Sequence, residues 1–164
     1  MKMRFAGWLV IALVVVGADQ LTKHLITQWL SYGQSWSVTY WFDLVLVYNP
    51  GAAFSFLADH SGWQRWFFIV LTSSVSVWLV MLLRRHATER LMPLGLALIL
   101  GGAIGNLIDR VMLGAVVDFL YFHVGSHGFP AFNVADSAIT LGVALMLADQ
   151  LGLTSRTTRA EREA

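Results

Sequence analysis

The chain has 164 residues, room for one domain, and 57% of them are hydrophobic against 13% charged, a balance that belongs to membrane proteins and excludes an ordinary soluble domain. A net charge of +1, with the 11 basic residues scattered in small clusters, excludes a nucleic-acid binder, because phosphate recognition needs a concentrated basic surface. The absence of cysteine excludes disulfides, a thiolate nucleophile, a Cys-based metal site and lipidation of the chain itself on cysteine.

A membrane-spanning helix needs roughly 20 mostly apolar residues, and four stretches approach this: Phe5 to Leu30, Trp66 to Leu83, Leu91 to Leu107 and Phe132 to Leu153. The first is cleanly apolar only from Phe5 to Ala18; Asp19, Lys23 and His24 follow and must face protein or the interface. A cleavable signal peptide is the competing reading, with Lys2 and Arg4 as its basic start and Val16-Gly17-Ala18 as its cleavage site. An uncleaved helix is preferred, because three further spans follow and four spans return both termini to one side.

Between the first two spans, residues 31–65 form an insert that is not a bland linker. Ser37 to Tyr48 is β-branched and aromatic with partial alternation, which favours strand. Leu57 to Trp66, with Trp63 and Trp66 flanking Gln64 and Arg65, suits a short interfacial helix, although the same tryptophans also suit the aromatic belt of the second span. A second outer segment, residues 109–131, contains Gly114 to Val124, which again reads as strand. Thr154 to Ala164 is a polar tail with the composition of a disordered segment. The expected fold is therefore an all-α polytopic membrane protein of one domain, with four transmembrane helices, a small β-rich extracytoplasmic subdomain and a short interfacial helix.

Basic residues in short loops mark the cytoplasmic side. Lys2 and Arg4, then Arg84, Arg85 and Arg90, then Arg156, Arg159 and Arg162 alternate with connections that hold only Arg65 and Arg110. Both termini are expected in the cytoplasm and the two β-rich connections outside.

Ionisable groups near a bilayer are costly and mark function. At 1.5 Å rise per residue, Asp136 lies only about 6 Å along the last helix from its outer end. Asp109 ends the third span on that side, Asp118 follows in the outer connection, and Asp19 lies toward the outer end of the first helix; Asp149 alone sits at the opposite end. Clustering at one leaflet weighs against a transporter, which places titratable groups along a path through both leaflets. A non-catalytic scaffold for lipid-anchored partners is the other rival. Within the cluster, Asn106-Leu107-Ile108-Asp109 and Asn133-Val134-Ala135-Asp136 repeat one pattern, and the i, i+3 spacing sets each Asn beside its Asp on a helix. Capping of helix ends is the plainer role for these asparagines. Arg110 beside Asp109 suggests a structural ion pair, or an arginine reaching to headgroups.

Without cysteine, carboxylates can still hydrolyse a peptide: one acts as general base on water while a protonated partner polarises the scissile carbonyl. Like charges close together keep one shared proton in place near neutral pH. Asp118 and Asp136 are one such pair among several; Asp109 is a weaker candidate, since a neighbouring arginine holds it ionised. His123 and His127 lack the helical setting and the Glu of a zinc protease motif, and Ser126 lacks a nucleophile elbow. No metal and no cofactor is expected.

Five segments stand out, in order: Asp19-Gln20-Leu21-Thr22-Lys23, Tyr48 to Phe56 (YNPGAAFSF), Gly101 to Arg110 (GGAIGNLIDR), Val116-Val117-Asp118-Phe119 and Phe132 to Ser137 (FNVADS). Together they resemble the signature blocks of the bacterial lipoprotein signal peptidases (signal peptidase II). The resemblance implies an aspartic endopeptidase that removes the signal peptide from diacylglyceryl-modified prolipoproteins, cutting before the lipidated cysteine. It implies Asp118 and Asp136 as the catalytic pair, and Asp19, Lys23, Asn49, Gly51, Asn106, Asp109, Arg110, Asn133 and Ala135 as supporting or substrate-contacting positions. It further implies residence in the bacterial inner membrane; the loop charges and the depth of the carboxylates set the active site at the periplasmic leaflet, and the protein is expected to be a monomer among lipid. The Asn49-Pro50-Gly51 turn with Ala52 and Ala53 offers a small-residue surface that a lipidated peptide can approach closely.

Overall fold

The computed structural model describes residues 4–51 and 63–152. In chain order these form helix α1 (Phe5–Trp29), strands β1 (Ser35–Thr39) and β2 (Phe42–Asn49), helices α2 (Trp63–His86) and α3 (Leu91–Met112), strands β3 (Val116–Val124) and β4 (His127–Gly128), and helix α4 (Val134–Gln150). The interfacial helix expected over Leu57 to Trp66 lies largely outside the described residues, as do Ala52, Ala53 and the polar tail; Trp63 and Trp66 belong to the first turn of α2.

Three helices, α1, α2 and α3, are long and apolar enough to cross a membrane. The fourth, α4, has 17 residues. α3 is the central element, packed against α1, α2 and α4, and its neighbours turn Val10, Leu13, Val14, Val70, Val77, Leu141 and Leu147 outward. In lipid, helices gain little from apolar burial alone; close backbone approach and polar contacts hold them together. Glycines provide that approach. A Cβ on Gly95 would stand 2.7 Å from the Gly142 carbonyl oxygen, and one on Gly101 would stand 2.7 Å from that of Ala12. On Gly102 a Cβ would run into the carbonyl of Ala135, so α3 and α4 touch backbone to backbone beside the residues that matter below.

The four strands form one antiparallel sheet in the order β1-β2-β3-β4. The stretch Ser37 to Tyr48, strand-like throughout in sequence, is a hairpin that turns at Tyr40 and Trp41. No Gly, Asn or Asp marks this turn, so its chemistry is invisible to a turn search; a bulge between Ser37 and Thr39 accommodates it. Strand β3 is buried on both faces from Val116 to Phe119. Val117 and Phe119 pack with Ile26, Leu30 and Leu46 under the end of α1, which fixes the sheet to the helices and leaves Asp118 on the other face.

Candidate active site

Four of the five acidic residues noted above converge where α1, α3, β3 and α4 meet. Asp149, near the far end of α4, stands apart from them. The centre of the cluster is Lys23 on α1, only 3% exposed. Its ammonium lies 2.8 Å from Asp19 Oδ2 and 2.7 Å from Asp109 Oδ2, and donates to Asn106 Oδ1 at 3.0 Å. A buried charge is tolerated only when paired and hydrogen-bonded, and two carboxylates and an amide satisfy this one.

The second oxygens and lone pairs of those carboxylates carry the site's geometry. Asp19 Oδ1 accepts the backbone N–H of Ala135 at 2.9 Å, and Asp109 Oδ2 accepts that of Val117 at 3.1 Å. Ala135 immediately precedes Asp136 and Val117 immediately precedes Asp118. Each Lys23-bound carboxylate therefore clamps the backbone one residue before a second aspartate. Ala135 is fully buried against α3, whose Gly102 leaves it the room.

Asp118 is 2% exposed on β3. The sheet register pairs Asn49 with Val116, which makes Asn49 the diagonal neighbour of Asp118 on one face, and its Nδ2 donates to Asp118 Oδ2 at 3.0 Å. Asn49 Oδ1 in turn accepts the Gly51 N–H at 2.9 Å. Gly51 has φ of 112°, a backbone conformation that favours glycine, so this turn holds the asparagine in place. The other Asp118 oxygen accepts Asn133 Nδ2 at 2.7 Å. Burial is the largest influence on this carboxyl and pushes it up to about 6, reinforced by the nearby charge of Asp136 and opposed by the amides of Asn49 and Asn133 and by the positive charge of Lys23.

Asp136 is half-buried in the first turn of α4. Asn133 is the helix N-cap: its Oδ1 accepts the Asp136 N–H at 2.9 Å, while its own N–H donates to Asp136 Oδ2 at 3.3 Å, a reciprocal capping box. Asn106 Nδ2 donates to Asp136 Oδ1 at 2.8 Å. Asn133 thus binds both aspartates at once. An apolar groove of about 580 Å³, lined by Phe129, Phe132, Leu141 and Ala144 among others, opens beside Asp136 along α4.

The structure brings Asp19, Lys23, Asn49, Gly51, Asn106, Asp109, Asn133 and Ala135 into contact with the two aspartates or with one another, but corrects two expected pairings. Asn106 stands against Asp136 rather than against Asp109, its partner in sequence, because α3 and α4 cross here at glycine distance. Asp109 pairs with Lys23, and Arg110 instead donates to the Asn106 carbonyl at 3.2 Å, with its guanidinium 5.1 Å from the Phe68 ring centre. Adjacent helical positions diverge by about 100°, so neighbours in sequence seldom face each other. Sequence reasoning did not single out Gln20, whose amide donates to Asp109 Oδ1 at 2.9 Å and to the Gly105 carbonyl at 3.1 Å; its i, i+3 spacing from Lys23 was the available signal. Arg65 was also missed: its guanidinium donates to the carbonyls of Arg110 and Val111 at the end of α3.

Comparison with known proteins bears on this arrangement. Residues 11–152 match the family model described as signal peptidase (SPase) II. The lipoprotein signal peptidase of Azoarcus sp. (strain BH72) is 62% identical over 144 residues, 88% of this chain and 82% of that protein. That of Janthinobacterium sp. (strain Marseille) is 55% identical over 144 residues, 88% of this chain and 87% of its own. Among solved structures, a bacterial membrane enzyme determined by the in meso method at 1.9 Å superposes with a TM-score of 0.82 at 34% identity, covering 92% of this chain and 97% of that one.

Proposed function

Because this chain belongs to the signal peptidase II family of aspartic peptidases, we propose that it cleaves diacylglyceryl-modified prolipoproteins just before the lipidated cysteine, with Asp118 and Asp136 as the catalytic pair. The observation that carries the reading is Asn133, whose side chain donates to Asp118 at 2.7 Å and caps the helix turn that presents Asp136. Two carboxyls coupled in this way, one buried and raised to about 6, suit a pair that shares one proton near neutral pH. The ionised member takes a proton from water as the water oxygen attacks the scissile carbonyl, and the protonated member donates to the carbonyl oxygen.

Asp19, Lys23, Asn106, Asp109 and Ala135 support the pair from behind, and Asn49, Gly51 and Asn133 hold Asp118 in front of it. Arg110 braces α3 against α2 through Phe68. The groove along α4, apolar and open beside Asp136, suits the apolar signal segment of the substrate. The exposed Leu141, Val143 and Leu147 of α4 suit lipid contact and support a fourth span. The alternation of basic loops supports cytoplasmic termini and a site at the periplasmic leaflet of the inner membrane, where the cleavage point of a signal peptide emerges. The protein is read as a monomer.

Incubation of the purified protein with a diacylglyceryl-modified prolipopeptide and its unmodified counterpart tests the reading. Cleavage of the modified peptide alone, immediately before its lipidated cysteine, is expected. Equal cleavage of both, or a cut elsewhere, overturns the assigned specificity.

A further inference from the structure

Asp118 and Asp136 have unlike surroundings, and the difference starts at Lys23. The Lys23 ammonium donates to Asn106 Oδ1 at 3.0 Å, and Asn106 Nδ2 donates onward to Asp136 Oδ1 at 2.8 Å. A full positive charge at one end of this chain polarises the amide, so that its N–H is a stronger donor to a carboxylate at the other end. Asp136 also occupies the first turn of α4 and accepts a backbone N–H there, where the helix field favours negative charge. Asp118 lies on a strand, deeply buried, and its hydrogen-bond partners among the described residues are two neutral amides, with the Lys23 charge acting on it only through space. Of the other charged groups around Asp136, Asp19 on α1 and Asp109 on α3 turn to Lys23, and Arg110 on α3, which donates to the Asn106 carbonyl, sets a positive charge near Asp136, Asp118 and Asp109.

Resting on the aspartate-pair reading above, we propose that Lys23 acts through Asn106 as a positioning residue that keeps Asp136 the ionised base and leaves Asp118 as the member that carries the proton. Asp136 takes a proton from water as the water oxygen bonds to the scissile carbonyl carbon, and Asp118 gives its proton to the carbonyl oxygen, forming a gem-diol. As the C–N bond breaks, Asp136 passes its proton to the leaving nitrogen and one gem-diol hydroxyl returns a proton to Asp118. Both carboxyls end as they began. The raised value of about 6 for Asp118 agrees with this division of roles.

The pH profile of kcat/KM separates this assignment from its reverse. Removing a donor changes only the titration in which the carboxylate it serves becomes ionised. Asn106→Ala is expected to move the acid limb to higher pH by about one unit, the worth of one charge-assisted hydrogen bond, and to leave the alkaline limb in place. Asn49→Ala is expected to move the alkaline limb upward and leave the acid limb alone. Lys23→Met should shift the acid limb in the same direction as Asn106→Ala, and the double variant should shift it no further, because the two act in series. Should Lys23→Met fail to fold, Asn106→Ser, which keeps an oxygen for the ammonium but loses the amide that reaches Asp136, reads the same limb. An acid limb moved by Asn49→Ala, or unmoved by Asn106→Ala and Asn106→Ser, overturns the assignment with the pair intact. Cleavage retained in Asp118→Asn or Asp136→Asn removes the pair itself.

Discussion

Lys23 and Asp109, from helices far apart in sequence, meet at 2.7 Å with neither side chain more than 4% exposed. The contact matters for what Asp109 does with its other bonds, because the same carboxylate holds the backbone of Val117 next to Asp118. Asp19 does the same for Ala135 next to Asp136. One cation thus joins the two clamps that position the aspartates.

Lys23→Met leaves both clamping carboxylates buried without their counter-ion. Breaking a buried pair from one side costs about 3–5 kcal/mol, so the variant is expected to unfold at markedly lower temperature in detergent, with activity surviving only below that temperature. Thermal unfolding of the purified variant checks this. A melting temperature equal to wild type would mean that Lys23 is not the keystone of the cluster.

Asp118→Asn and Asp136→Asn keep the shape of each side chain and remove its proton chemistry. Each is expected to lower the rate of prolipopeptide cleavage by a factor of about a hundred or more, with the protein still folded and inserted. Initial rates on a lipid-modified peptide, together with the melting curve of each variant, decide the matter. A folded variant that retains more than about a hundredth of the wild-type rate takes that residue out of the pair.

Much of this site could be read from the sequence, and the part that could not has a physical reason. Acidic residues beside apolar runs are so costly that Asp19, Asp109, Asp118 and Asp136 stand out individually, and the helix directions place them at one end of the bundle. Which groups touch depends on tertiary contacts between α3 and α4, made close by Gly102, and these are not encoded in i, i+3 spacing. Asn106 therefore serves the aspartate of the other helix. Asn133 does both things considered for it, capping α4 and binding an aspartate, but it also reaches a second one, Asp118, on a strand. The hairpin turn at Tyr40 and Trp41 escaped because its residues are strand formers.

The double duty of Asn133 can be divided experimentally. Asn133→Ala removes both the cap and the donor to Asp118, and loss of an N-cap alone costs about 1 kcal/mol. Asn133→Ser keeps a capping oxygen but is too short to reach Asp118. The serine variant is expected to recover most of the stability lost in the alanine variant while remaining impaired in cleavage. Melting temperatures and initial rates measured on the same preparations test this. If the serine variant recovers stability and activity together, the bond to Asp118 is dispensable.

The raised carboxyl of Asp118 makes a prediction about stability whose sign is fixed. Its folded-state value of about 6 exceeds the ordinary value of about 3.9 in an unfolded chain, so between those limits the folded protein binds more protons than the unfolded one. Stability linked to this group is therefore greatest below pH of about 4, falls as pH rises through the window, and is fully lost above about 6. The difference amounts to about 2–3 kcal/mol. Asparagine at this position resembles the protonated acid and has no charge to bury. Asp118→Asn is accordingly expected to be more stable than wild type at pH 7.5, with the gap closing toward pH 4.5, as is usual where a site holds groups in costly surroundings for the sake of function. Unfolding curves of both proteins at the two pH values measure it. A variant less stable than wild type at pH 7.5, or a gap that does not change with pH, would show that Asp118 ionises without strain and would remove the electrostatic basis for its role as the proton-bearing acid.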